Sequence, residues 1–174
     1  DSTHGEMAYF EFVTVRITDS DGAEGLGYTY AVNHGGGSIY AMIDRDLSNL
    51  VTGEDPSRIA ALWEKMWWAV HYPGRGGIAS FAIAAIDIAL WDLAGKHYGV
   101  PISKLLGGAF RSEVQPYATG FYRIKGQGEA QRLADEALQH FETGFRSMKI
   151  KLGFGVDDDI KVMAAVSRAV EGKG

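Results

Sequence analysis

The sequence predicts an α+β region, an antiparallel hairpin followed by helices, which gives way near residues 110–113 to the strand and helix units of a parallel sheet. Three observations carry this prediction. Residues 10–17 and 25–30 alternate apolar and polar side chains on either side of a turn sequence, residues 38–106 carry apolar residues at helical spacing, and from Val114 onward strand-like and helix-like segments take turns. A hairpin beside helices is an α+β signature, whereas strand, helix, strand, helix with short connections signals parallel pairing. The predicted domains are 1–110 and 111–174.

In chain order, FEFVTVRI (Phe10 to Ile17) and the strand from Gly25 to Tyr30 flank Asp19-Ser20-Asp21-Gly22, an Asp-Gly turn that suits a hairpin. Two strands alone are marginal, so a third is expected before Asp1. Ala31 to Gly37 (AVNHGGG) reads as a glycine-rich loop able to fold over a ligand. Ser38 is placed to N-cap a helix with Ile39, Met42, Ile43, Leu47 and Leu50 on one face. Asp55-Pro56 opens another with Ile59, Leu62, Trp63, Met66 and Trp67 inward. After the loop from His71 to Gly77, a long alanine-rich helix runs from about Ile78 to Tyr98, with Asp87 and Asp92 its only acids. Its small residues suit close packing, and Asp87 reads as a buried, hydrogen-bonded structural carboxylate. Gly99 and Pro101 end it, and Ile102 to Leu106 forms a short helix stopped by Gly107-Gly108. Val114 to Thr119 and Arg146 to Leu152 then read as strands, Glu129 to Phe141 and Asp157 to Val170 as helices.

Composition narrows the function classes. With 174 residues, 46% of them hydrophobic, and a net charge of −5, the chain is long enough for a core of its own. No basic stripe offers the concentrated Lys and Arg that nucleic acid requires. There is no cysteine, which excludes disulfides and thiolate metal sites. No apolar run approaches the roughly 20 residues needed to cross a bilayer, so no membrane role is expected and the cytoplasm is the default compartment. The opening Asp1-Ser2-Thr3-His4-Gly5 reads as loop, and Glu171-Gly172-Lys173-Gly174 follows directly on a helix pattern, so a further element is expected at each end.

The segment with chemical promise is Arg146 to Gly153. As a strand it sends Lys149 and Lys151 to one face and Met148, Ile150 and Leu152 to the other. Two ammonium groups sharing one space disfavour each other's charged form, which makes one a candidate base. The competing reading is an edge strand with a solvated lysine face. Other motifs carry less. Gly153-Phe154-Gly155 lacks the third glycine of a dinucleotide fingerprint. Asp157-Asp158-Asp159 suits a solvated first helical turn better than a divalent ion. The five histidines are scattered, with His34 and His71 in glycine-bearing loops and His97 at a helix end where a cation is favoured.

Three stretches together, Ala85-Ile86-Asp87-Ile88-Ala89-Leu90-Trp91-Asp92-Leu93-Ala94-Gly95-Lys96, Pro101-Ile102-Ser103-Lys104-Leu105-Leu106-Gly107-Gly108 and Gly144 to Gly153, resemble the mandelate racemase and muconate lactonising group of the enolase superfamily. Gly27-Tyr28-Thr29-Tyr30, the glycine loop with Ser38-Ile39-Tyr40, and Gly74-Arg75-Gly76-Gly77 look most like the group's sugar-acid dehydratases acting on talarate and galactarate. The resemblance implies an α+β capping domain followed by the first βα units of a modified TIM (β/α)7β barrel, with catalytic groups at the carboxyl ends of barrel strands. Lys149 and Lys151 match the family's KxK. By that match Lys151 removes the proton α to a substrate carboxylate, while Lys149 supports it and neutralises the carboxylate. Mg²⁺ is the implied cofactor, stabilising an enediolate.

The same resemblance puts the metal ligands on the third to fifth barrel strands and a second acid/base on the seventh, all after Gly174. No residue of this chain is therefore assigned as a metal ligand, and the 174 residues alone are expected to be inactive. Substrate selection is implied for the loops Asp1 to His4, Val32 to Gly36 and around Tyr72 to Arg75, with Asn33, His34, Tyr72 and Arg75 as candidate contacts. The expected function is Mg²⁺-dependent dehydration of a small carboxylate sugar acid by a homo-oligomer. A racemase, epimerase or cycloisomerase of the same superfamily is the alternative, and a non-catalytic module is the alternative of another class.

Overall fold

A computed structural model describes residues 5–124 and 129–172. The chain divides into two compact units, one of Ala8–Phe110 and one of Arg111–Gly174 together with the residues up to Met7.

In the first unit, β1 (Phe10–Thr18) pairs antiparallel with β2 (Glu24–Val32), from Phe10 opposite Val32 to Thr18 opposite Glu24. Asp19 builds the connection: its Oδ1 accepts the N–H groups of Asp21 at 3.0 Å and Ala23 at 2.9 Å. One face of the hairpin lies on α4 (Ile78–Tyr98), the helix predicted over the same residues. The approach is unusually close because both sides are bare. A Cβ on Gly27 would overlap the carbonyl oxygen of Ala85, and one on Gly25 that of Ala89. The alanines of α4 thus admit the strand backbone as much as they admit other helices. Ile83, Ile86 and Leu90 then meet Val13, Ile39, Leu47, Leu62 and Met66 in the core. By length and composition α4 is apolar enough to cross a membrane, contrary to the sequence expectation. Half of that apolar stretch is buried, Ala82, Ala85, Ala89 and Leu90 completely, while Ile78, Phe81 and Ile88 are exposed.

The segment after β2 departs from expectation. Helix α1 (Gly36–Ala41) begins two residues before Ser38, continues through a π-helical turn (Met42–Leu47) and ends as α2 (Ser48–Val51). Glu11 on β1 takes over the capping role assigned to Ser38, accepting the Gly36 N–H at 2.7 Å. A side chain on Gly36 would collide with that glutamate. Helix α3 (Ile59–Ala69) starts three residues beyond Pro56, because Asp55 first closes a turn that takes the N–H groups of Ser57 and Arg58. It buries Ile59, Leu62 and Met66. Trp63, expected inward, is 40% exposed and stacks on Trp67 at 5.2 Å. After the Gly99 turn, with φ 65°, comes α5 (Ile102–Leu105).

The second unit holds two strands paired in parallel, β3 (Ala118–Thr119) and β4 (Met148–Lys149), with Ala118 opposite Met148 and Thr119 opposite Lys149. Helices α6 (Glu129–Glu142) and α7 (Val156–Val170) complete it. Phe121, Leu133, Ala137, Val162 and Val166 form its core, with Met148 and Ile150 against them. Both strands are shorter than predicted. Pro116 has no N–H to contribute, Val114 is 82% exposed, and a ladder extends only where a neighbour receives its hydrogen bonds. The whole is an antiparallel hairpin with helices, the capping-domain architecture, followed by parallel βα elements.

Candidate functional site

The two lysines stand where β4 ends. The alternation predicted for this segment holds from Met148 to Ile150: those two pack on the α6 and α7 core with Lys149 exposed between them, and Lys151 beyond them is half-buried. It fails at Leu152, which is 43% exposed rather than inward, because the chain has already left the strand. The Lys151 Nζ lies 5.5 Å from the centroid of the Tyr122 ring.

The residues after β3 that form the other wall were absent from the sequence prediction. Phe121 is completely buried and adopts φ 60°, a left-handed conformation that a non-glycine residue takes only when its surroundings enforce it. The enforcing contacts come from α6. Glu136 Oε1 accepts the Phe121 N–H at 2.7 Å, and Arg132 donates to the Tyr122 carbonyl while pairing with Glu129 at 2.9 Å. Next in sequence, the Arg123 side chain is 9% exposed and contacts Asp158 at 2.7 Å and Asp159 at 3.4 Å. Its guanidinium also lies 4.7 Å from the centroid of Phe154. Asp159 in turn accepts the N–H groups of Gly153 at 2.8 Å and Phe154 at 3.4 Å. The acidic run is therefore not simply solvated as expected. Asp157 is exposed, but Asp158 and Asp159 bind a buried cation. The one sequence signal for this knot was Gly-Phe-Tyr-Arg directly after a predicted strand.

The four candidate substrate contacts all belong to the first unit. Asn33 and His34 share the bend between β2 and α1. Asn33 has φ 61°, and its Oδ1 accepts the N–H groups of Ala8 at 2.9 Å and Tyr9 at 3.4 Å, so its side-chain oxygen closes the open end of the hairpin. His34 is exposed. Tyr72 and Arg75 share the loop between α3 and α4, and Tyr72 is fully exposed. The expected loop Asp1 to His4 lies outside the described residues.

Two carboxylates of α4 behave oppositely. Asp92 is held below the ordinary carboxylate range first by its hydrogen bond to Lys96 and then by the Leu26 N–H, at 2.7 Å and 2.8 Å. Asp87 is raised by burial. It is half-buried rather than buried, and the structural hydrogen bonds expected for it are missing among the described residues. Among the described residues no three His, Asp or Glu side chains are grouped closely enough to hold a metal ion, so they do not by themselves fit a Mg²⁺ site.

Residues 3–107 match the family described as mandelate racemase / muconate lactonizing enzyme, N-terminal domain. The chain is 49% identical over 153 residues to the 3,6-anhydro-alpha-L-galactonate cycloisomerase of Streptomyces coelicolor, covering 88% of this chain and 41% of that protein. It is 38% identical over 165 residues to the L-talarate/galactarate dehydratase of Salmonella typhimurium, covering 91% of this chain and 39% of that one. A crystal structure of a racemase from Streptomyces coelicolor with bound magnesium superposes with a TM-score of 0.90 at 45% identity, covering 98% of this chain and 47% of the other. The chain thus spans about two fifths of the length of these curated relatives.

Proposed function

Because the chain belongs to the mandelate racemase / muconate lactonizing enzyme family, we propose that it supplies the capping region and the general base of an enzyme that removes the proton α to the carboxylate of a sugar acid. Lys151 is the proposed base and Lys149 its companion, facing the carboxylate. The single observation behind this is the end of β4: Met148 and Ile150 are fixed in the core, Lys149 between them is exposed, and Lys151 just after them is half-buried with its head beside the Tyr122 ring. Lys149 ends the strand and Lys151 follows it by two residues, just past a position, Ile150, that is packed in the core, and precision of placement is what proton abstraction requires.

With the α-proton gone, the electrons left behind expel an oxygen from the adjacent carbon. If that oxygen leaves as water, the reaction is a dehydration; if it belongs to a ring, the ring opens and the reaction is a cycloisomerisation. We favour dehydration of an aldarate or aldonate, with ring opening as the second reading because of the 49% identity to a cycloisomerase. The magnesium bound in a solved relative supports Mg²⁺ as cofactor, supplying charge stabilisation for the enediolate when bound. Its ligands are proposed to come from barrel strands other than the two described. Asn33, His34, Tyr72 and Arg75 remain proposed substrate contacts, and a cytoplasmic homo-oligomer the proposed setting.

The test is hydrogen exchange at the α-carbon in D₂O with Mg²⁺, across aldarates, aldonates and their anhydro and lactone forms, with the intact mass of the protein recorded. Exchange abolished by Lys151→Ala and retained in part by Lys149→Arg is the expected result. No exchange by a protein as long as the relatives would overturn the catalytic reading in favour of a non-catalytic module. Exchange by the 174 residues alone would overturn the assignment of metal and second acid/base to other strands.

A further inference from the structure

We infer that Tyr122 is a positioning residue for Lys151, its ring face fixing the lysine head beside the carboxyl end of β4. The inference rests on the reading of Lys151 as the base. The ladder fixes Lys149, opposite Thr119, but Lys151 lies two residues past the last paired position. A lysine outside the ladder keeps a flexible four-carbon stem with many rotamers, and a base that wanders loses the advantage of proximity. Something other than the backbone must hold it.

The Tyr122 ring is placed to do so. Its centroid is 5.5 Å from the Lys151 Nζ, inside the roughly 6 Å over which an aromatic face attracts a cation. The ring is carried by an anchored piece of chain. Phe121 before it is completely buried and tied to Glu136 at 2.7 Å. The Tyr122 carbonyl is taken by Arg132, and Arg123 after it is clamped to Asp158 at 2.7 Å. Three consecutive residues are thus secured by α6 and α7, and the middle one faces the lysine. The same Arg123 meets Asp159 at 3.4 Å, and Asp159 holds Gly153 at 2.8 Å, so Lys151 is bracketed by one network on both sides. This arrangement separates the two lysines: among the described residues only Lys151 has an aromatic face against its head. The ring face, rather than the phenol hydroxyl, is the working part.

Reductive ¹³C-methylation of the lysines tests this directly, since it keeps the charge and reports ring proximity as an upfield shift. The Lys151 methyl signal, assigned by its loss in Lys151→Arg, is expected upfield in the wild type and in Tyr122→Phe, and at the ordinary lysine position in Tyr122→Leu. The Lys149 signal should stay unmoved in all of them, a thermal melt like the wild type's shows that each variant is folded, and Tyr122→Met stands in should Tyr122→Leu fail to fold. A Lys151 signal indifferent to the loss of the ring overturns the proposal. In the α-hydrogen exchange assay, Tyr122→Leu is expected to lower kcat about tenfold with KM nearly unchanged, while Tyr122→Phe stays within about twofold. Equal losses in Phe and Leu variants would assign the effect to the hydroxyl and overturn the role of the ring. A shifted Lys151 signal in a wild-type protein that exchanges no α-hydrogen would sink the catalytic reading while leaving the contact established.

Discussion

Asp159 accepts the backbone N–H of Gly153 at 2.8 Å, which ties the first turn of α7 to the residue two positions past Lys151. The same carboxylate meets Arg123 at 3.4 Å, so one side chain links the loops that follow both strands of the parallel pair.

Removing it should be costly. Asp159→Ala leaves the N–H groups of Gly153 and Phe154 without their acceptor and leaves Arg123, 9% exposed, with Asp158 as its remaining carboxylate. Losses from a hydrogen-bonded charge of this kind run to about 2–3 kcal/mol. Asp157→Ala, at an exposed position of the same turn, should stay within about 0.5 kcal/mol. Urea denaturation of both variants checks this, and equal small losses would mean that the whole acidic run is merely solvated.

Two glycines, one in the contact between β2 and α4 and one in α1, give a second prediction, of opposite signs. In Gly27→Ala the new Cβ meets the Ala85 carbonyl oxygen, a backbone atom that cannot step aside. Overpacking of this kind costs about 3 kcal/mol or more. Gly37, inside α1, has no atom within 4 Å of its would-be Cβ, so Gly37→Ala should stabilise by about 0.5–1 kcal/mol through helix propensity. Thermal melts of the two variants should move in opposite directions. A Gly27→Ala protein that melts like the wild type would show that the strand and helix are not so closely packed.

These two regions also show what the sequence could disclose. The hairpin, the span of α4 and the inward packing of Met148 and Ile150 around an exposed Lys149 were legible because each rests on local periodicity or turn chemistry within a few residues. The cap at Gly36 was not, since its acceptor, Glu11, comes from another strand. Nor was the end of β4 at Lys149, because strand length depends on the partner as well as on alternation. Arg123 was invisible for a related reason: its acids stand 35 and 36 residues away, and nothing local distinguishes a buried arginine from a solvated one. The reading of Asp157-Asp158-Asp159 as solvent-facing failed at Asp159, 21% exposed, and held only in part at Asp158, 47% exposed, through the same long-range pairing.

Asp92 carries a third prediction. Its folded-state pKa is lowered from 3.8, chiefly by Lys96 and then by the Leu26 N–H. The folded state therefore holds its proton less tightly than the unfolded chain, and the stability this contributes is fully present above the unfolded value. It is lost as pH falls from about 3.8 through the folded value. Asp92→Asn should destabilise by about 1 kcal/mol at neutral pH, a modest figure because the pair is partly in solvent. The gap to the wild type should close in acid. A gap that persists unchanged at pH 2 would point to lost packing rather than lost charge.

Asp87, five residues earlier on the same helix, should behave in reverse. Burial raises its pKa from 3.8, so the folded state binds the proton more tightly than the unfolded chain. Ionising it then costs stability. The cost is absent below the unfolded value, grows as pH rises from about 3.8 through the raised folded value, and is complete above that. Asp87→Asn should accordingly stabilise the protein at neutral pH and make no difference near pH 2, the opposite sign to Asp92→Asn. Paired melting curves over that range decide the matter. A destabilised Asp87→Asn protein at neutral pH would show that the carboxylate has gained a partner it lacks among the described residues, and would direct the search to whichever surface covers that face of α4.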